Sequence, residues 1–262
     1  MTSTMTKLKL IRRYMRLSFL KTFQSPIDLV MNLAFSALDI FSLFLFWISL
    51  FQLGFSLENW DPLDLLLFVA VSLFSEAVNR CFFGFRDLEY TILDGSFDKF
   101  LTWPIAPIAS VLLEKMGSFS VLLKASLALI LIVGSAFFTP LTHVGLALFC
   151  SLLGSVAFAL LYGTFSLLCF WFGKIYTARE LVFSFQEAKN YPLDILPKKI
   201  GDFFTRIVPL AFLATIPTKI MLGKIDHPYL YLLGILVLTS LIFGLYCFVQ
   251  KRALLRYQST GS

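Results

Sequence analysis

The residues best placed to do chemistry are charges standing where charge is costly. Glu76, Asn79 and Arg80 share one apolar stretch, with Asp39 in the stretch before it and Lys124 in the stretch after. Glu76 and Arg80 are one helical turn apart, so they can pair directly. An ionised group alone in hydrocarbon costs several kcal/mol, so each must face another protein group or water. Asp39, Glu76, Arg80 and Lys124 sum to zero charge. They can line a polar path or simply tie helices together, and the second reading is favoured because a self-neutralising set attracts no particular solute. Other chemistry has little support. No nucleophile–base pair or carboxylate dyad stands out. Cys81, Cys150, Cys169 and Cys247 lie in apolar runs without metal-ligand spacing and read as small packing residues. His143 and His227 fall in separate turns and make no metal site, and Asp28 and Asn32 read as interfacial residues.

The elements that must hold these charges follow from composition. Of 262 residues, 58% are hydrophobic and only 15% charged, with a mean hydropathy of +0.82. A soluble domain carries about a quarter charged residues. The expectation is an all-α integral membrane protein, one transmembrane domain over residues 1–262. Apolar runs at residues 27–54, 63–85, 109–138, 144–170 and 229–249 are each long enough to cross roughly 30 Å of hydrocarbon as a helix. Between 173 and 224 two readings compete. Residues 203–222 have the hydropathy of a fifth span but contain Arg206, Pro209, Pro217 and Lys219. Alternatively, residues 173–191 cross and residues 192–223 form a re-entrant hairpin, whose irregular backbone must then be buried in protein. Either choice gives six crossings.

Residues 7–24 do not read as a signal peptide, because charge interrupts them throughout. On a helix, Lys9, Arg12, Arg13 and Arg16 share one face and Leu8, Ile11, Met15 and Phe19 another, the pattern of an interfacial helix on anionic lipid. Nucleic acid is the competing partner for a basic run and is not expected for one joined to a span. The turns at 57–62 and 139–143 carry no Lys or Arg, whereas the amino-terminal segment carries six. The positive-inside rule places both termini and the 86–107 loop in the cytoplasm.

That loop is the most charged passage between two membrane-length runs. Asp94-Gly95 signals a turn, Ser96 is positioned to cap a short helix, and Pro104 and Pro107 are positioned to end it. Phe97, Phe100 and Leu101 then share one face. The bland reading is a solvated connector, and the sharper one is a docking surface for a soluble partner.

Residues 94–105, reading DGSFDKFLTWPI, resemble the G-x-hydrophobic-D-x-x-L-x-x-P pattern in the cytoplasmic loop of type 2 ABC exporter permeases (the ABC-2 family). Tyr191 to Pro197, then Ile207 to Phe212, Ile216-Pro217 and Leu222-Gly223, look like the second signature of a bacterial branch. Two departures stand out: Thr102 replaces a frequent Arg, and Ala214-Thr215-Ile216 replaces a more aromatic or polar run. The resemblance implies the permease subunit of an ATP-driven exporter in the inner (plasma) membrane. Its partners would be a separate cytoplasmic ATP-binding cassette subunit, a second or paralogous permease copy, and membrane lipid. The chain has no G-x-x-x-x-G-K-[ST], so no cofactor is expected on it, and ATP-Mg belongs to the partner. The chain is therefore not expected to be an enzyme by itself.

Within that family the helix after span two couples to the ATPase. Here that assigns Gly95, Phe97, Asp98, Lys99, Phe100, Leu101 and Pro104, with the phenylalanines and Leu101 as anchors and Asp98 and Lys99 as rim charges. The family also implies an outer placement for residues 192–223, with Pro192, Asp194, Pro197, Pro209 and Pro217 in a gate between protomers. The cargo would be a lipophilic or cationic compound. The alternatives are an ATP-independent secondary transporter or channel, which would normally show matched broken helices in two halves, and an intramembrane enzyme.

Overall fold

The computed structural model describes residues 26–54, 60–116, 119–206 and 208–258, with a few single positions in the first 25. The basic segment 7–24 lies for the most part outside them, as do the side chains of Asp28, Asn32 and Asp39. Among the described residues the secondary structure is helical throughout, with no strand.

Among the described residues, four stretches are long and apolar enough to cross a membrane: Leu29–Gln52, Pro62–Leu93, Leu141–Phe172 and Pro228–Arg256. The first belongs to helix α1 (Pro26–Gln52). The second joins α2 (Pro62–Arg80) and α3 (Gly84–Leu93) across a turn at 81–83. The third joins α7 (Leu141–Ser166) and α8 (Cys169–Phe172), and the fourth is α12 (Pro228–Arg256).

The other expected crossings are shorter or broken. Residues 109–138 divide into α5 (Pro107–Lys115) and α6 (Phe119–Gly134), the latter extended by a 3-10 turn. Residues 173–191 form α9 (Tyr176–Ser184) and a 3-10 stretch, Phe185–Asn190. At 1.5 and 2.0 Å per residue these two together reach about 25 Å. Residues 203–222 are not one helix. They divide among α10 (Lys198–Arg206), a 3-10 turn at Pro209–Phe212 and α11 (Thr215–Met221). The prolines impose the breaks, since each removes a backbone donor and crowds the preceding turn.

Helix α2 is the centre. Leu65, Phe68, Val69, Ala70, Val71, Leu73 and Ala77 are all buried, which covers most of its circumference. It packs chiefly against α6 and α7, and α7 packs against α12. By contrast, Phe35, Leu38, Phe41 and Ile48 of α1, and Leu233, Leu241 and Phe243 of α12, are exposed. In water such a surface would be untenable, and against acyl chains it costs nothing. At the start of α2, Pro62 occupies the first turn and the Asp61 N–H donates to Asp64 at 2.8 Å.

Small residues on α7 let backbones approach closely. A Cβ on Gly154 would lie 2.5 Å from the Phe212 carbonyl oxygen, and one on Gly163 would enter the Phe85 ring. Beside Gly154, the Ser151 hydroxyl donates to the Leu213 carbonyl at 2.8 Å, so irregular backbone packed on a span has its acceptor satisfied by that span.

Gly154→Ala should therefore destabilise the purified protein by about 1–3 kcal/mol through overpacking, read as a lower thermal midpoint in detergent. Gly145→Ala, on the same helix with nothing within 4 Å of its added carbon, should leave the midpoint unchanged. Equal effects at both positions would refute the close approach.

Candidate functional site

The passage 86–107 is ordered differently from the loop expected. Residues 84–93 continue as α3, whose inner face carries Phe85, Leu88, Glu89 and Ile92. Gly95 has φ of +76° and makes the anticipated turn, and the Ser96 N–H donates to the Asp94 carboxylate at 2.9 Å. The hydrogen bonds from Ser96 hold the Asp94 carboxyl below its usual range. Ser96 does not cap α4, the single turn Asp98–Leu101, which has no side-chain cap; its hydroxyl donates back to the Thr91 carbonyl of α3 at 3.5 Å. Pro107 does not end that turn but opens α5, where a missing N–H is harmless.

The two phenylalanines assigned as outward anchors point the other way. Phe97 and Phe100 have no exposed surface. The Phe97 ring meets Phe170 of α8 at 5.7 Å and Tyr257, just beyond α12, at 5.0 Å. Phe100 packs on Trp103, and the Lys99 ammonium lies over its face while pairing with Glu114 at 3.1 Å. The Tyr257 hydroxyl donates to Asp98 at 2.8 Å, and burial together with that carboxylate pushes the phenol up to about 12. What remains outward is Asp94, Lys99, Leu101, Thr102 and Pro104. Large aromatic rings bury more apolar area than any other side chains, which is why they face the core and not the rim.

Glu76, Arg80 and Lys124 do come together. Arg80 reaches the Glu76 carboxylate at 2.8 Å and Lys124 reaches the same oxygen at 2.6 Å. Lys189 stands 3.8 Å from the other oxygen, with 2% of its side chain exposed. Lys189 lies in the mixed stretch Gln186-Glu187-Ala188-Lys189-Asn190, which gives no sign that it is buried. The Asn79 amide donates to the Ser75 carbonyl at 3.0 Å, while its own oxygen is buried without a partner.

A second buried set was not anticipated. Arg179 of α9 has no exposed surface and donates to Glu89 at 2.9 Å and to the Arg86 carbonyl at 2.6 Å. Its guanidinium also faces the rings of Tyr90 and Tyr176. Glu89 accepts the Ile175 N–H at 3.1 Å with its second oxygen. The only sequence sign was an Arg–Glu pair inside a mostly apolar run. Partners 90 residues apart leave no periodic trace.

At the end of the bundle away from α3, Asp194 accepts from the Trp60 indole at 2.9 Å and from Lys219 at 2.7 Å, and Lys224 pairs with Asp64. Pro192, Pro209 and Pro217 are buried here and Pro197 is exposed. Residues 192–224 thus gather beside the start of α2, opposite the α4 turn. No group of three His, Cys, Asp or Glu that could hold a metal occurs among the described residues.

Glu89→Gln should cost about 3 kcal/mol, because it removes the closer of the two carboxylates from the buried Arg179 and leaves Glu180 at 3.4 Å. Replacing both residues with leucine should recover much of that loss. A Glu89→Gln variant with the thermal midpoint of the parent would show that the pair holds nothing.

The helical architecture and the apolar outer surfaces describe a membrane domain. No curated protein matches the chain. A family model described as ABC-2 family transporter protein matches residues 37–261, which take in α2 to α12 and most of α1. The chain is a multi-pass membrane protein and belongs to the ABC-2 family of transporter proteins.

Proposed function

We propose that the chain is the permease subunit of an ATP-driven exporter, paired with a cytoplasmic ATP-binding cassette subunit that carries ATP-Mg. The observation that carries this reading is the attachment of residues 94–104. One side is fastened by Phe97 to α8 and Tyr257 and by Asp98 to Tyr257, while Lys99, Leu101, Thr102 and Pro104 are left outward. A surface braced in this way moves as a unit with α3 and α5 when pushed. In this reading Leu101 is the apolar anchor and Lys99 and Asp94 are the rim. Phe97 and Phe100 support it from behind.

The same reading takes α6 and the α9–Asn190 stretch as crossings, giving six, with both termini and the α4 turn cytoplasmic. Residues 192–223, with Asp194 held by Trp60 and Lys219, then lie at the outer surface. Two permease copies would enclose the path between them, in an inner membrane. ATP binding closes the ATPase pair, the α4 turns transmit the movement, and the path opens outward.

Co-purification tests the coupling. The cassette ATPase should stay bound to the parent chain, and Leu101→Asp should release it with no change in thermal midpoint. Phe97→Asp should instead lower the midpoint. Transport by the purified chain without nucleotide would overturn the reading in favour of a secondary transporter.

Orientation has its own test. In a background lacking the four native cysteines, a cysteine at the exposed position Lys199 should react with an impermeant maleimide added outside intact cells. Labelling from the cytosol alone would reverse the placement of residues 192–223.

A further inference from the structure

Two adjoining cavities, of about 580 and 220 Å3, share Glu76, Arg80 and Glu187 and form one cleft beside α2. Their sum lies within the 300–1,000 Å3 usual for small-molecule sites. Glu76 sits about 21 Å along the helix from Pro62, so the cleft lies within the candidate span Pro62–Leu93. Its larger part is lined by Leu43 and Phe46 of α1, Leu73 of α2 and Tyr191. Its smaller part ends on Asn79, Arg86, Gln186 and Lys189.

The polar end is unevenly supplied. Both oxygens of Glu76 are already engaged, one by Arg80 and Lys124 and the other, at 3.8 Å, by Lys189. Lys189 makes no hydrogen bond among the described residues, although only 2% of its side chain is exposed. An ammonium has three donors, and this one borders the cleft with its closest carboxylate oxygen at 3.8 Å. The Asn79 oxygen, in a residue 8% exposed, is likewise unmet. Glu187, the other carboxylate on the cleft, is exposed and accepts from Asn190 at 3.0 Å. A cation entering here would meet Arg80, Arg86 and Lys189 and find no free buried carboxylate. An anion would meet the Lys189 ammonium, which has no hydrogen-bond acceptor among the described residues.

We propose that this cleft binds an anionic amphiphile, its acidic oxygen on the Lys189 ammonium and its apolar body along Leu43, Phe46 and Tyr191. A hydroxyl or amide N–H on the head group would satisfy the Asn79 oxygen. The inference rests on the transport reading and names the class of cargo that reading leaves open. It replaces the cationic cargo expected from the sequence.

The test uses the full chain purified in a neutral maltoside detergent, without any ATPase, and titrates dodecyl phosphate while following binding calorimetrically. Saturable binding is expected, with no heat from dodecyltrimethylammonium or from inorganic phosphate alone. Lys189→Met should weaken binding by about tenfold or more, as for loss of a charge-assisted hydrogen bond. Glu187→Gln removes an exposed like charge and should tighten binding about two- to fivefold, a gain that misfolding cannot mimic. The idea is overturned if dodecyltrimethylammonium binds equally well, or if neither variant shifts the affinity for dodecyl phosphate. Nanodiscs of phosphatidylglycerol against phosphatidylcholine distinguish the source. Competition by the first alone marks a membrane phospholipid as the occupant, and no competition marks a soluble acidic amphiphile; both support the site. Because no ATPase is present, failure here leaves the coupling reading standing, and failure of ATPase recruitment leaves this one standing.

Discussion

A guanidinium sealed from solvent fixes where the bundle ends and its surface turn begins. Arg179 joins α9 to α3 through Glu89 and the Arg86 carbonyl, with a tyrosine ring on either side. Removing such a group from water is expensive, and only close pairing with further hydrogen bonds offsets it. The contact therefore tolerates little displacement. Because Glu89 also caps the Ile175 N–H, the chain leaving α8 must pass directly beside α3. Phe170 of α8 then falls against Phe97, and the 94–104 turn is braced from within. The position of that turn follows from a pair that never touches it.

The same economy governs the proline-rich segment. Non-helical backbone within a membrane domain is tolerable only where protein supplies its hydrogen-bond partners. Here Ser151 satisfies the Leu213 carbonyl, and the Thr215 hydroxyl accepts the Leu193 N–H at 3.1 Å. Glycine at 154 allows the approach that makes the first of these possible. A regular helix across 203–222 would have required Pro209 and Pro217 inside it. Short helices packed on α7 avoid that cost.

Hydropathy and composition made the helical membrane class legible, because both average over many residues. The four long apolar stretches were legible for the same reason, and so was the Glu76–Arg80 pair, which one helical turn enforces. Gly95 was readable because a left-handed turn after aspartate favours the residue without a Cβ. The inward aim of Phe97 and Phe100 was not. Helical spacing shows that they share a face but says nothing about which neighbour covers it, and Phe170 and Tyr257 lie far along the chain. Lys189 and Arg179 were hidden for a related reason. A basic residue in a short, mixed segment reads as solvated until the fold brings a distant carboxylate to it. The end of α5 at Lys115 and the start of α6 at Phe119 had a local sign in Glu114-Lys115 and Gly117-Ser118, which averaging hydropathy over residues 109–138 hides.

The two buried ion sets are linked in a ring. Glu76 lies on α2 and Glu89 on α3, parts of one bent stretch, while Arg179 and Lys189 both lie on the 176–190 stretch facing it. The two stretches are thus joined at two levels, and the joints are unequal. Arg179 and Glu89 meet at 2.9 Å with no water access, whereas Lys189 and Glu76 stand at 3.8 Å with a cavity beside them. Opening the first would take the nearer carboxylate from a fully buried charge, whereas opening the second only lengthens a contact that is already loose. A relative tilt of these stretches would therefore strain the contact at Arg179 more than the one at Lys189. Coupling between distant sites requires an element with two arrangements that both sites bias. The cleft beside Glu76 lies at the looser of the two joints, where such an element has the least to lose by rearranging.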